Sequence, residues 1–218
     1  MAKKKLVHFT ENLTFPHLFQ PFYRELTEGF RMRSQWGNEF FGNNHPVILE
    51  LGCGKGEYTV GLAKKYPSHN FIGIDIKGSR LWRGCKSVAE EHLKNVAFIR
   101  TQVNNLPLLF APGEVAEIWI TFPDPQPKHE RKRLTSPGFI ERYRQVMAPG
   151  GIIHLKTDDP EFFEYTREVI REMRLKVEWE TTDLYHSGTD HDVTLVQTYY
   201  EQIWLSMNKP IFYIRFII

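Results

Sequence analysis

The chain has 218 residues, a formal net charge of +2 and two cysteines, Cys53 and Cys85. This length fits one domain with a sizeable core, and two cysteines exclude a disulfide framework. No apolar run reaches the roughly twenty residues that span a bilayer, and the N-terminus lacks the apolar segment of a secretory signal. We therefore expect a cytoplasmic protein without membrane contact, in which any nucleic-acid binding depends on local clusters of cations.

The chain divides near residue 45 into two parts with different patterns. Residues 1–45 mix aromatic and basic side chains, and we interpret them as an N-terminal extension with a basic arm, Lys3–Lys5, and a helix near residues 18–29. Residues 46–218 alternate segments of helical periodicity with strand-like runs, VILELG, NFIGIDI, VAFIR, EVAEIWITF and IIHLKT. This alternation predicts an α/β domain with a mostly parallel, doubly wound sheet.

The last third of the chain changes this rhythm. Two strand-like stretches, residues 175–185 and 194–207, flank the polar loop HSGTDHD with no helix between them. They predict an antiparallel hairpin at the sheet edge, and the terminal IFYIRFII is interpreted as a final strand. A parallel sheet that ends in an antiparallel hairpin is typical of class I methyltransferases, whereas a dinucleotide-binding domain continues with a crossover helix.

A glycine-rich turn follows the first strand of the α/β domain, in LELGCGKGEYT. Gly52 and Gly54 let the backbone turn tightly and approach a ligand closely. Glu50 ends the strand before this turn, and Asp75 ends the next strand, the usual place for an acid that holds ribose hydroxyls. Because both strands end at one edge of the sheet, we expect these acids to face one cofactor site.

Two cofactors, NAD and S-adenosylmethionine, suit a site of this kind. NAD-binding turns read G-x-G-x-x-G, whereas this turn reads G-x-G-x-G with an acid two residues ahead. Glu50 would repel a pyrophosphate and attract the ammonium and sulfonium groups of S-adenosylmethionine. The pattern therefore favours S-adenosylmethionine over NAD, and over a glycine turn that binds nothing.

The fourth strand runs into FPDPQPKHERKR, in which prolines flank a single acid. Proline fixes its own φ and restricts the residue before it, so we expect Asp124 to be rigid, as positioning of a substrate requires. The cations that follow, among them Lys128, Arg131 and Arg133, suit a phosphate backbone. The alternative is a surface turn with a solvated basic face, but the position beside a cofactor site favours RNA binding.

Five segments together resemble the bacterial tRNA (guanine-N7)-methyltransferases, over nearly the whole chain from about residue 36. They are LELGCGKGEYTVGLAKKYP, NFIGIDI, TFPDPQPK followed by RKRLT, PGGIIHLKTD, and TYYE. The resemblance implies the class I methyltransferase fold, S-adenosylmethionine as cofactor and tRNA as partner. It also implies methyl transfer to N7 of the guanine in the variable loop.

The resemblance also implies roles for single residues. Asp124 matches the family's catalytic acid, which borders the methyl donor. Together with the residues above, the expected cofactor contacts are Glu50, Gly52, Gly54, Asp75, Gln102 and Asp124. The expected substrate contacts are Lys128, Arg131, Arg133, Asp158, Thr198, Tyr199, Tyr200 and Glu201. No metal is expected, because the histidines and acids of residues 183–192 match no standard zinc or calcium spacing.

Three departures from the family pattern affect these contacts. Gln102 stands where members usually carry an aspartate, although an amide can still hydrogen-bond adenine. Gln126 replaces a tryptophan that is frequent in the family, and the basic stretch KHERKR is shorter than in many members.

Two other functions stay open: methylation of an amino group on another RNA base or a protein side chain, and RNA binding without catalysis. A monomer and a homodimer are both compatible with the sequence.

Overall fold

A computed structural model of the chain describes residues 2–188 and 192–218. None of the helices in these ranges is long and apolar enough to cross a membrane. The α-helices are α1 (Ala2–Asn12), α2 (Tyr23–Gly29), α3 (Glu57–Lys65), α4 (Gly78–Glu90), α5 (Leu106–Leu109), α6 (Pro137–Arg144), α7 (Pro160–Glu172) and α8 (Tyr199–Ser206). The strands are β1 (Leu18–Phe19), β2 (Val47–Leu51), β3 (Asn70–Asp75), β4 (Val96–Arg100), β5 (Val115–Thr121), β6 (Met147–Thr157), β7 (Lys176–Thr181) and β8 (Phe212–Ile217).

The strands form one sheet in the order β1-β4-β3-β2-β5-β6-β8-β7. The pairings among β1 to β6 are parallel, while β8 runs antiparallel to both β6 and β7. Apolar side chains are buried in two clusters. The mostly parallel sheet with an antiparallel C-terminal pair, predicted from the sequence, is therefore confirmed.

One strand of the predicted hairpin is wrong. Residues 194–207 include the helix α8, and the antiparallel partner of β7 is the terminal strand β8. Thr198 Oγ1 accepts a hydrogen bond from the Glu201 amide at 3.2 Å, and the Glu201 carboxylate accepts one from the Thr198 amide at 3.2 Å. This reciprocal capping box begins a helix in spite of the aromatic and β-branched residues around it.

The order of the sheet reverses at β2, which has β3 on one side and β5 on the other. Every residue of β2 and β3 is buried, as expected for parallel strands covered on both faces. Ligands of open α/β sheets bind where the strand order reverses, at the carboxyl ends of the strands. The turns after β2, β3 and β5 all lie at that edge.

The N-terminal segment packs into the same core as the sheet. The helix predicted near residues 18–29 is shorter, because β1 pairs with β4 before α2 begins. Trp36 is fully buried, with its ring centre 5.7 Å from that of Phe110, and its indole N–H donates to Leu109 O at 3.2 Å. A separate extension that ends near residue 45 stays a prediction.

We expect Trp36→Ala to lower the free energy of unfolding by about 3–5 kcal/mol, because it removes a buried indole and leaves a cavity. Phe22→Ala is the control, since Phe22 is an exposed aromatic residue of the same segment. It should change the free energy by less than about 0.5 kcal/mol. Urea unfolding followed by circular dichroism measures both variants. Equal, small effects would show that the segment does not contribute to the core.

Candidate active site

The glycine-rich turn after β2 has a left-handed backbone that favours glycine. Gly52 and Gly54 have φ of +73° and +57°, and a Cβ placed on Gly54 would meet nothing within 4 Å beyond its chain neighbours. Asp75, at the end of β3, accepts hydrogen bonds from the Gly54 amide at 2.9 Å and from the Lys77 amide at 2.7 Å. The turn therefore offers open space beside a fixed carboxylate.

Glu50 lies at the end of β2 and exposes 3% of its surface. Its carboxylate accepts hydrogen bonds from the amide and the hydroxyl of Thr59 in α3, and from the hydroxyl of Thr121 in β5 at 2.7 Å. Burial raises the pKa of Glu50 to about 7, although the hydrogen bonds from both threonines oppose that shift. A cationic ligand beside this carboxylate would favour its ionised form.

A small cavity of about 90 Å³ lies between the turn after β2, the end of β5 and the start of α8. Its walls include Glu50, Gly52, Gly54, Lys55, Glu57, Arg80, Thr121, Phe122, Thr198, Tyr199 and Tyr200. The buried carboxylate and the open space at Gly54 fit a ligand with a cationic end, such as S-adenosylmethionine. They do not fit a pyrophosphate, which the carboxylate would repel.

The first turn of α8 forms another wall of this cavity. The Tyr199 amide donates to Glu57 Oε2 at 2.9 Å, so this turn is joined to the start of α3. Lys55 Nζ lies 4.7 Å from the centre of the Tyr199 ring, within reach of a cation–π contact. Tyr199 and Tyr200 each expose about half of their surface, so both rings are accessible where they line the cavity.

A fully buried ion pair holds α8 to the sheet. Lys156, at the end of β6, and Glu201 in α8 are both enclosed, with 2.6 Å between Nζ and Oε1. Lys156 also donates to Val193 O at 2.7 Å, and the Tyr185 hydroxyl donates to Glu201 at 2.6 Å. The sequence placed Glu201 against the substrate. In the structure its carboxylate is enclosed instead, because it neutralises Lys156 and caps the helix.

The loop that carries Asp124 begins at the cavity and then turns to the surface. Phe122 lines the cavity, while Asp124 is exposed and its Oδ1 accepts from the Gln126 amide at 3.1 Å. Phe122 and Gln126 have φ of +46° and +48°, values that residues other than glycine rarely adopt. Strained backbone of this kind clusters at functional sites. These constraints, with the prolines, limit the positions open to the Asp124 carboxylate.

Arg133 supports this loop from inside the protein. It is buried, its Nε–H donates to Pro125 O at 2.9 Å, and its guanidinium lies 4.4 Å from the centre of the Tyr165 ring. Arg133 therefore does not offer its guanidinium to a substrate, contrary to the expectation from the sequence, because this group packs against the protein itself. Lys128 and Arg131 are exposed.

The remaining sequence-predicted residues do not line the cavity. Gln102 is exposed at the start of the short helical turn that follows β4. Asp158 is half-buried after β6, and burial raises the pKa of its carboxyl group. In the described ranges no group of His, Cys, Asp and Glu side chains could hold a metal ion. His191, in the loop considered for a metal, lies outside those ranges.

No role was predicted from the sequence for three residues that hold the carboxylates of the site: Thr59, Thr121 and Lys156. Lys156 offered a signal, because it is a charged residue in IIHLKT, a strand predicted to lie inside the sheet. A lysine in such a strand needs a buried partner. Thr121 directly precedes FPDP, but a threonine at a strand end has no special meaning. Thr59, inside a helix, gave no signal.

Glu50 should make the free energy of unfolding depend on pH. Its pKa is about 7 in the folded protein and near 4.5 without burial, so the folded state holds the proton more tightly. Stability therefore falls as pH rises from about 4.5 to 7, by about 3 kcal/mol in all. Urea unfolding of the wild type and of Glu50→Gln between about pH 5 and 8 measures how much of the pH dependence comes from Glu50. A difference between the two proteins that does not change with pH would contradict the raised pKa.

We expect Lys156→Met to lower the free energy of unfolding by about 3–5 kcal/mol, because it leaves Glu201 as a buried charge without its partner. Adding Glu201→Gln should restore part of this loss, as coupled residues do in a double-mutant cycle. Arg24→Ala is the control, since it breaks the exposed pair Arg24–Glu28, with an expected loss below about 1 kcal/mol. Similar losses in Lys156→Met and Arg24→Ala would contradict the importance of the buried pair.

Known proteins resemble this chain over nearly its whole length. The family model described as "Putative methyltransferase" matches residues 44–214. A tRNA (guanine-N(7)-)-methyltransferase of Bacteroides thetaiotaomicron is 50% identical over 99% of this chain and 86% of its own length. Its counterpart from Christiangramia forsetii is 49% identical over 99% of this chain and 98% of its own.

The fold also resembles a solved structure. The 16S rRNA methyltransferase KamB matches with a TM-score of 0.65 at 18% identity, over 83% of this chain and 91% of that chain. This likeness concerns the fold alone, and it confirms the class I methyltransferase architecture predicted from the sequence. The family follows from the sequence relatives: this chain belongs to the tRNA (guanine-N(7)-)-methyltransferase family.

Proposed function

We propose that this protein transfers a methyl group from S-adenosylmethionine to N7 of the variable-loop guanine of tRNA. The observation that carries the proposal is one cavity. It joins the buried carboxylate of Glu50 and the glycine turn to Phe122, where the loop of Asp124 begins. The relatives of the chain support tRNA as the substrate. A reaction on tRNA supports a location in the cytoplasm.

The donor is held by residues at the carboxyl ends of β2, β3 and β4. Glu50 binds the cationic amino-acid end, and Asp75 accepts hydrogen bonds from ribose hydroxyls, since each of its oxygens engages one backbone amide and keeps another lone pair. Gln102 offers an amide to the adenine edge. When bound, S-adenosylmethionine supplies a methyl group on a positively charged sulfur.

Asp124 acts on the target base. N7 of guanine has an in-plane lone pair and needs no deprotonation, so the protein has to orient the base, exclude water and stabilise charge. Gln126 engages only Oδ1 of Asp124, so the carboxylate can still accept hydrogen bonds from the N1–H and 2-amino edge of guanine. Its negative charge also stabilises the positive charge that the purine gains on methylation.

The RNA is held around this acid. Lys128 and Arg131, both exposed after the prolines, bind backbone phosphates. Tyr199 and Tyr200 expose aromatic faces on which an extruded base can stack. Glu201 acts at a distance, as a positioning residue that begins α8 and pairs with Lys156. Thr198 and Asp158 complete the proposed set of contacts.

The direct test is methyl transfer from labelled S-adenosylmethionine to unmodified tRNA, followed by nucleoside analysis. The proposal predicts label in 7-methylguanosine, and loss of that label when the variable-loop guanine is replaced. Label in another nucleoside would overturn the proposed target. Label on a protein acceptor, with none on tRNA, would favour methylation of a protein side chain.

We expect Asp124→Asn to lower kcat at least about 100-fold, because it removes a preorganised charge at the developing cation. Donor affinity should stay within about threefold, since Asp124 does not line the donor cavity, in contrast to the cofactor contact expected from the sequence. Glu168→Gln is the control, because Glu168 is an exposed acid of α7 that does not line the cavity. Single-turnover kinetics with tRNA and calorimetry with the donor measure these effects. Near-normal turnover of Asp124→Asn would rule out the assigned role.

A further inference from the structure

A second cleft, of about 340 Å³, adjoins the donor cavity. The two share Lys55, Glu57 and Arg80, so a ligand that enters the cleft reaches the edge of the donor site. The remaining walls of the cleft are His8, Ser79, Trp82 and Arg83. None of these four residues was expected from the sequence to take part in function.

The cleft carries an excess of positive charge. Lys55, Arg80 and Arg83 are exposed, and in the described part of the chain none of the three forms an ion pair within 4.0 Å. Glu57 is the single carboxylate of the wall, and one of its oxygens accepts the Tyr199 amide. Arg80 and Arg83 lie three residues apart on α4, so they project from the same side of the helix. Unpaired cations grouped in a cleft attract a polyanion.

The N-terminal helix forms a fixed wall of this cleft. His8 stacks on Trp82 with 3.9 Å between ring centres and 3° between the planes. Glu11 accepts from the Trp82 indole N–H at 2.7 Å and from Lys86 Nζ at 2.9 Å. These contacts hold α1 against α4 and place His8 in the wall of the basic cleft.

From this arrangement we infer that the cleft binds backbone phosphates of the tRNA strand that presents the target guanine. The inference rests on the proposed function and adds a second phosphate-binding surface to it. Lys128 and Arg131 follow β5, whereas Lys55, Arg80 and Arg83 follow β2 and β3. Phosphates held by both groups would span the donor cavity and fix the strand across it. The basic arm predicted at residues 3–5 stays a prediction, since the side chains of Lys3 and Lys4 lie outside the described part.

Arg83→Glu tests the inference, because Arg83 lines the cleft but not the donor cavity. Arg171→Glu is the matched control, since it makes the same charge change at an exposed arginine of α7. We expect Arg83→Glu to raise the Kd for unmodified tRNA about tenfold. It should also flatten the slope of log Kd against log salt by about 0.7–0.9 for each phosphate that the variant no longer binds. Its Kd for S-adenosylmethionine should equal that of the wild type.

Equal tRNA affinity and equal salt slope in the two variants would overturn the inference. The cations of the cleft would then suit an acidic protein partner instead of tRNA. The outcome is separate from that of the proposed function. Wild-type protein that methylates a nucleoside other than guanosine would contradict the function. The difference in tRNA binding between Arg83→Glu and Arg171→Glu would still decide the role of the cleft.

Discussion

A carboxylate enclosed at the meeting point of β2, β5 and α3 determines how this site is built. Thr59 and Thr121 both donate to Glu50, so three elements from different parts of the chain converge on one acid. Desolvation disfavours its charged form, as the raised pKa reflects. A cationic ligand offsets this penalty, because its charge replaces the missing hydration of the carboxylate. The fold thus holds an acid that is better satisfied with a cation than without one.

The second half of the site depends on a different buried charge. Lys156 at the end of β6 binds Glu201 and Val193 O, which fixes the segment before α8 and the first turn of α8 over the sheet. Tyr199 and Tyr200 line the donor cavity as a result. The ion pair and the capping box share one carboxylate, so the start of the helix and its attachment to the sheet depend on the same side chain, that of Glu201. The T-x-x-E segment is therefore a structural device as well as a wall of the site.

Much of the fold followed from the sequence, because a parallel sheet brings the carboxyl ends of neighbouring strands to one edge. Glu50, the glycine turn and Asp75 could be placed together by that rule alone. The helix that contains Glu201 could not be predicted in this way, since its aromatic and β-branched neighbours favour a strand and outweigh the signal of the capping box. Its partner Lys156 lies far away in the chain. Arg133 belongs to a run of similar cations, and its burial depends on tertiary contacts with Pro125 O and the Tyr165 ring, which the sequence does not reveal.

The central claim is that Glu50 binds the cationic end of the donor. The most direct test is to measure the protons released when S-adenosylmethionine binds. Calorimetry at about pH 6.5 in two buffers of different ionisation enthalpy gives this number. With a pKa of about 7, Glu50 is roughly three-quarters protonated at that pH, so donor binding should release roughly 0.7 proton. Glu50→Gln should release almost none and bind more weakly. Equal proton release and equal affinity in the two proteins would contradict the account.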